Sequence, residues 1–518
     1  MEITFLGHAG FCVESNKAIL IMDPWLSPGG AFDSSWFQFP RNHHLAALVQ
    51  EKLDNSHKER FIYISHEHKD HLDMPFLQSL LNRDFTLIIP RFHRTALVKL
   101  LEGYVCKQIV ICEDGRKIPI PEGEITLYLD DSEMSRDSAI LIKSEDMTFF
   151  NMNDCKLHDK LTTIVKAEGP IDVFAAQYSG AIWHPTCYDY PLETYRAISI
   201  KKMNSKFEAV ARAIETINPR VYLPSAGPSC FLDPQLIHLN FESDNIFPRA
   251  PKFLSYLQKR LTVATSCSEP QPGDVIDAKT GEFTFRTKER VTELNFESYI
   301  HSYASLYESF FAGRQKKYSA EELVHILGRL KLVLLAKLQV LTVRAQIKTP
   351  LYFRLSDIPE RILKVNFEKS TVELTETMDE KDFYSITCPS WEVERILNGK
   401  INWDDFSLSF RMRLNRDPDV YQAVIHGYIV MEPEDMNRFC EKVLGSSANR
   451  ERTLIEADEC KYSINRYCPH QGADLTQGWV EQGKYLVCPK HRWQFDLSNG
   501  GKCKMNDTTI DAFHIEED

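Results

Sequence analysis

The stretch Phe61-Ile-Tyr-Ile64-Ser65-His66-Glu67-His68-Lys69-Asp70-His71 joins a short apolar run to a loop crowded with metal-binding side chains. Residues 60–64 are short, apolar and bounded by polar residues, which reads as a buried strand. Two residues apart at the end of that strand, His66 and His68 can converge on one metal. Asp70 and His71 then face a neighbouring metal position. Neutral imidazoles with a carboxylate suit zinc or ferrous iron, and the pattern alone does not choose between them.

Similar runs surround this one. Residues 3–6, 18–22, 85–89, 108–111, 125–129, 139–143 and 147–151 read as strands, with a helix over 75–82 between two of them. The alternation predicts a layered α/β domain over residues 1–265. Residues 266–281, rich in Pro, Ser, Asp and Gly, read as its boundary. A middle region follows over 282–445, helical first and then α+β. Ser319 and Glu322 form a capping-box pattern, and Leu323, Ile326, Leu327, Leu330, Leu334, Leu338 and Leu341 recur at helical spacing as a core stripe. Strict alternation over residues 406–414 predicts a strand. Residues 345–440 have a weak lipid-carrier-like character around Ile396-Leu-Asn-Gly399. Residues 446–452 read as a linker to a last, small all-β module over 446–518.

That module contains Cys468-Pro-His470 and Cys488-Pro-Lys-His491. C-x-H and C-x-x-H together are the ligand pattern of a Rieske 2Fe–2S cluster, with thiolates on one iron and imidazoles on the other. A structural zinc site from the same four residues is the competing reading. A Rieske cluster moves single electrons, so it implies an acceptor.

Composition limits the partners. The 518 residues, 43% hydrophobic and 26% charged, suit a soluble protein of several domains. A net charge of -12 argues against nucleic acid and against an anionic membrane surface. No apolar run is long enough to insert in a membrane, and the first residues lack the pattern of a signal peptide. The 13 cysteines show no repeating framework, which fits reduced thiols in the cytoplasm.

The C-terminal segment resembles the Rieske ferredoxins and oxygenases, which share Gly472 after the first ligand pair and Trp493 after the second. Respiratory Rieske proteins add two bridging cysteines; the corresponding places here hold Ala473 and Lys490, so the likeness implies a cluster with no disulfide. Arg492 stands where those families usually have glycine. The first segment resembles the metallo-β-lactamase superfamily, an αββα sandwich. The H-x-H-x-D-H loop carries this likeness, together with Ile3-Thr-Phe-Leu-Gly-His8-Ala-Gly and Ile21-Met-Asp23-Pro-Trp25-Leu. It implies His66, His68, Asp70 and His71 as ligands, with Asp154 bridging two metals. Two expected histidines are missing. Between the motif and Asp154 the nearest candidates are Glu133 and Asp137. At the last position the chain has Ala226, with His184 as a candidate substitute.

Taken together, the motifs are similar to those of the CMP-N-acetylneuraminate hydroxylase family. Met22-Asp-Pro-Trp-Leu, Ala31-Phe, residues 63–72, Asn153-Asp-Cys155 and residues 413–421 carry the likeness. In the animal enzymes the Rieske module comes first, whereas here it comes last. The resemblance implies a Rieske-dependent oxygenase that uses O2 and external electrons on a small polar metabolite, such as a sugar or nucleotide sugar. One or two non-haem irons would sit at His66–His71, with zinc as the alternative. Electrons would come from a ferredoxin, a reductase or a b-type cytochrome. A homo-oligomer is a candidate assembly for the electron transfer. Trp25, Trp36, Arg41, His43 and His44 are candidates for a substrate pocket. A metal-dependent hydrolase with a redox-sensing Rieske module is the alternative function.

Overall fold

The computed structural model describes residues 1–518 apart from 56, 134–135, 288–289, 315, 446–450, 459, 507 and 516–518. The expected linker at 446–452 therefore lies largely outside the described residues. The chain separates into two compact units. The first comprises Met1–Ala181, Arg196–Asp233 and Ile237–Ser305; the second comprises Ile182–Tyr195, Pro234–Leu236 and Leu306–Asp518.

The first unit is a sandwich of two sheets. Strands β1 (Glu2–Gly7), β2 (Gly10–Glu14), β3 (Ala18–Met22), β4 (Glu59–Tyr63), β5 (Thr86–Pro90) and β6 (Gln108–Cys112) lie in one. Strands β7 (Lys117–Ile120), β8 (Gly123–Asp131), β9 (Arg136–Ser144), β10 (Met147–Asn153), β11 (Val173–Gln177), β12 (Val221–Ser225) and β13 (Ser266–Cys267) form the other, and β14 (Val275–Asp277) and β15 (Phe283–Thr284) complete the first. The orders are β15-β14-β1-β2-β3-β4-β5-β6 and β13-β12-β11-β10-β9-β8-β7. Segment 266–281 is therefore no boundary: β13 pairs with β12, and β14 pairs with β1. Its Pro and Gly residues turn the chain between two short strands, which composition alone cannot distinguish from an interdomain linker.

The two-residue side-chain period sorts the strands' apolar residues onto two faces. Ile140, Ile142, Phe149, Val173 and Val221 pack inward against Ile3, Phe11, Leu20, Met22 and Ile88 of the other sheet. Ala139, Leu141, Phe150, Phe174 and Tyr222 point outward under Phe207, Val210 and Ile214 of helix Leu192–Ile217 and Phe253 of helix Ala250–Arg260. Burial on both faces explains why these strands read as continuous apolar runs. Helices Leu45–Asn55 and Met74–Ser79 pack Val49, Leu53, Phe76 and Leu77 on the first sheet. The result is the αββα sandwich of the metallo-β-lactamase type.

In the second unit, helix Ala320–Val340 opens on the expected capping box, Ser319 with Glu322. Strands β16 (Leu351–Leu355), β17 (Ile362–Asn366), β18 (Thr371–Thr375), β19 (Phe383–Cys388) and β20 (Arg413–Asp417) form one sheet, ordered β18-β17-β16-β19-β20. The strand expected over 406–414 is a correction. Residues Trp403–Leu408 are helical, because Asn402 and Asp405 form a capping box that the alternating apolar pattern hid, and only 413 and 414 are strand. The excursion Ile182–Tyr195 packs on β20, with Tyr188 bridged to Leu414 and Asp189 Oδ1 accepting from Arg413 Nε at 2.7 Å. The chain ends in two small sheets. One holds Arg452–Ala457, Cys460–Asn465 and Phe513–Ile515; the other holds Trp479–Glu481, Tyr485–Val487, Gln494–Asp496 and Lys502–Cys503. No helix among the described residues is long and apolar enough to cross a membrane.

Phe174 is fully buried between Phe150 and Tyr222, each ring centre 5.8 Å away. Phe174→Ala is expected to destabilise the first unit by about 3–5 kcal/mol, read as an earlier urea transition.

Candidate metal centre

Strand direction gathers the site at one edge of the sandwich. β1, β3 and β4 run the same way, as do β10, β11 and β12, so the residues that follow each of them emerge together. Register shifts mark two of these exits, after Phe5 in β1 and after Asn151 in β10, and such irregularities re-aim the next side chains. Non-glycine residues at four of these strand ends are left-handed: His8 (φ 53°), Asp23 (φ 38°), Asn153 (φ 41°) and Ala226 (φ 50°). Such strain persists where the surrounding structure enforces it, and it clusters at functional sites.

Two donor groups result, and they share His71. His66, His71 and Asp154 form one; His8, Asp70 and His71 form the other, with one donor atom from each residue within 4.8 Å of the rest. His66 Nε2 lies 2.9 Å from His68 Nδ1, so the H-x-H pair converges as expected. His8 Nε2 lies 3.0 Å from Asp70 Oδ2. Asp137 joins the first group through His66 Nδ1 at 3.1 Å.

Behind the ligands stands Asp23, which is wholly buried. One oxygen accepts the Ser65 N–H at 2.8 Å; the other accepts the Ser65 hydroxyl at 2.7 Å and His71 Nδ1 at 2.9 Å. Held from Nδ1 by a carboxylate, His71 turns Nε2 toward Asp154, 3.4 Å away. Asp73 fixes the exit of the loop: Oδ1 caps helix Met74–Ser79 through the Phe76 N–H, and Oδ2 accepts from Leu26 and Ser27.

The electrostatics are those of a crowded acidic pocket. Burial pushes His66 down to about 3, helped by His71 beside it, so its imidazole is neutral. Burial alone would also lower His71, but Asp154, Asp70 and Asp23 hold it well above the usual histidine range. Burial and the neighbouring Asp154 raise Asp137 far above the carboxylate range. Asp154, despite its burial, is held low by His71 and His66. Asp137 thus keeps a proton that Asp154 lacks.

This donor set fits metal ions. Asp70 Oδ1 and Asp154 Oδ1, one in each group, are shielded from water and accept no hydrogen bond. Shielded carboxylate oxygens without partners are costly unless a cation completes them. A cavity of about 10 Å³, room for about one water-sized group, adjoins His8 and Asp70 and is walled by Trp36, Gly180, Ala226 and Phe231.

The expectations for individual residues divide. His66, His68, Asp70, His71, Asp154 and Asp137 are brought together. Glu133 is not among them; its Oε2 lies 3.4 Å from Arg94 and 3.4 Å from His93. His184 is not either, and its Nε2 meets the Tyr190 hydroxyl at 3.0 Å within the second unit. Trp25 places its ring 5.2 Å from that of His8, and Trp36 lines the cavity. Arg41 and His44 are exposed, while His43 meets Gln38 at 3.1 Å, so these three do not line it. His8 was missed as a donor, although Gly7-His8 follows a buried strand just as Ser65-His66 does.

The cluster residues lie in two loops of the second unit. Cys468 and Cys488 are buried, and side-chain hydrogen bonding to Cys488 followed by burial raises the Cys468 thiol well above its usual range. Binding to a cationic centre replaces the proton of such a thiol. The rings of His470 and His491 lie 4.6 Å apart, with Trp493 stacked on His470 at 3.9 Å. All 13 cysteines are free of disulfides.

The Rieske [2Fe-2S] domain family matches residues 427–512, so the C-terminal module is a Rieske domain. Across nearly all of its length the chain is similar to a Rieske 2Fe-2S iron-sulfur protein of Mycolicibacterium smegmatis, with 28% identity covering 96% of this chain and 97% of the relative. It is also 22% identical to the cytidine monophosphate-N-acetylneuraminic acid hydroxylase of Xenopus laevis, over 88% of this chain and 76% of that one. Among solved structures, CmlA, a diiron β-hydroxylase from Streptomyces venezuelae, aligns with a TM-score of 0.34 at 15% identity, covering 52% of this chain and 53% of that one.

His8→Ala is expected to cost one metal equivalent per chain, counted by elemental analysis, with the circular dichroism spectrum unchanged. Asp23→Asn keeps every candidate ligand but removes the acceptor charge behind His71, and is expected to weaken metal affinity about 10–100-fold in a chelator competition assay.

Proposed function

We propose that this chain is a cytoplasmic Rieske-dependent non-haem iron oxygenase that hydroxylates a small polar metabolite, with a sugar or nucleotide sugar as the substrate class. The observation that carries the reading is the presence, in one chain, of a Rieske domain and a buried imidazole–carboxylate donor set. Imidazole and carboxylate accept zinc as readily as ferrous iron. Zinc, however, has no use for the electron that a Rieske cluster delivers.

In this reading the 2Fe–2S cluster is held by Cys468, His470, Cys488 and His491. His66, His68 and Asp154 would hold one iron, and His8, Asp70 and His71 the other. When bound, the iron centre supplies oxygen activation and the cluster supplies single electrons. The chain's own residues do the rest. Asp23 and Ser65 keep His71 in the tautomer whose Nε2 faces the site. Asp137 holds a proton against Asp154 and can release it at the site. Trp25 and Trp36 supply apolar walls that limit water near His8 and Asp70. The reducing electrons come from a ferredoxin, a reductase or a b-type cytochrome, with a homo-oligomer as the candidate assembly for their transfer. The substrate class follows the name of the Xenopus laevis relative.

The test is turnover of a CMP-activated N-acyl sugar under ¹⁸O2 with a chemical reductant and mediator. Label should enter the product, and His66→Ala should retain the Rieske electron paramagnetic resonance signal while losing product formation. Conversion of the substrate under anaerobic conditions without reductant would make the protein a hydrolase and end this reading.

A further inference from the structure

The two cluster loops are built alike. In the first, the Cys468 N–H donates to Ala473 O at 2.9 Å, and the Gly472 N–H donates to Cys468 O at 2.8 Å. In the second, the Cys488 N–H donates to Trp493 O at 2.9 Å, and the Arg492 N–H donates to Cys488 O at 2.9 Å. Gly472 and Arg492 therefore occupy equivalent positions, and both are left-handed, with φ of 70° and 60°. Glycine adopts this conformation without penalty, whereas an L side chain is strained there. The second loop bears a strain that its twin avoids, and it does so to present a guanidinium.

That guanidinium has an unusual setting. Arg492 is half-buried, and its Nη1 is shielded from solvent and makes no hydrogen bond. Among the described residues no carboxylate pairs with it. Burial draws it down to about 10, while the Cys488 thiol opposes that shift when ionised. An arginine side chain stays cationic at neutral pH, and the Arg492 N–H bonded to Cys488 O holds this cation in the loop of a cluster ligand.

We propose that Arg492 sets the reduction potential of the Rieske cluster, as a fixed cation beside Cys488 that favours the reduced form. Reduction adds one electron from a one-electron donor to the cluster and breaks no bond. The added negative charge is stabilised by a nearby positive charge in a medium that screens it poorly. The role is electrostatic and asks for no contact with substrate. The inference rests on the Rieske domain and not on the oxygenase reading, so either can fail alone.

The test is a redox titration of the full-length, cluster-loaded protein, followed by electron paramagnetic resonance. Arg492→Gly removes both the charge and the backbone strain; Arg492→Lys keeps both. Arg492→Gly should lower the equilibrium constant for reduction by about tenfold, about 59 mV for one electron, while Arg492→Lys stays within about threefold of the parent. If the glycine variant holds no cluster, Arg492→Gln carries the same expectation as the glycine one. Titration of the charge-free variant at the parent potential with unchanged g-values would overturn the proposal. Equal shifts in the lysine and charge-free variants would also overturn it, since loop conformation rather than charge would then be at work.

Discussion

A single buried carboxylate, Asp23, ties the candidate metal centre to the sheet beneath it. Its backbone N–H bonds Tyr63 O at 3.0 Å, so the end of β3 is locked to the end of β4 just before the histidine loop begins. Its side chain then takes the Ser65 N–H, the Ser65 hydroxyl and His71 Nδ1. An ionised acid without exposure is costly to bury unless its lone pairs are all engaged. Here three donors engage it, and the same contacts aim His71, the residue common to both donor groups. The second sheet joins through Ser138, whose hydroxyl donates to Ser65 O at 2.8 Å and whose carbonyl accepts from Tyr63. The site is therefore fixed by strand ends and not by mobile loops, as a preorganised metal centre requires.

The charge balance follows from this geometry. Asp23, Asp70, Asp137 and Asp154 surround three buried or half-buried histidines of the motif. Within the protein, that excess of acid is relieved by a proton kept on Asp137 and by the raised affinity of His71 for its own. Divalent cations would relieve it better and would complete the two orphaned carboxylate oxygens. Two acidic or imidazole side chains stand beside the motif where the sequence offered no histidine. Asp137 stands next to His66, and His8 stands next to Asp70. A mixed set of imidazoles and carboxylates suits zinc and ferrous iron alike.

Much of the sandwich was legible because its strands are short apolar runs bounded by turns, and the run at 18–22 matches β3 residue for residue. The H-x-H-x-D-H loop and the Rieske boxes were legible because their ligands are close in sequence. What escaped depends on contacts distant in sequence. His8 becomes a donor only through the pairing of β1 with β2 and β2 with β3, which aligns its strand end with that of β4. Segment 266–281 looked like a linker because strands of two or three residues carry no periodicity. Residues 406–414 looked like a strand because five apolar residues alternate there, yet local capping at Asn402 and Asp405 outweighed the pattern.

The account stands or falls on the identity and number of the metals beside the cluster. Mössbauer spectroscopy of ⁵⁷Fe-enriched protein, purified without oxygen and calibrated by iron content per chain, reads both at once. The account predicts four irons per chain: one Rieske pair, and a second pair of high-spin ferrous ions in nitrogen and oxygen ligation that vanishes in His66→Ala. Two irons per chain, all in the Rieske spectrum, with zinc recovered at the His66–His71 site, would contradict it.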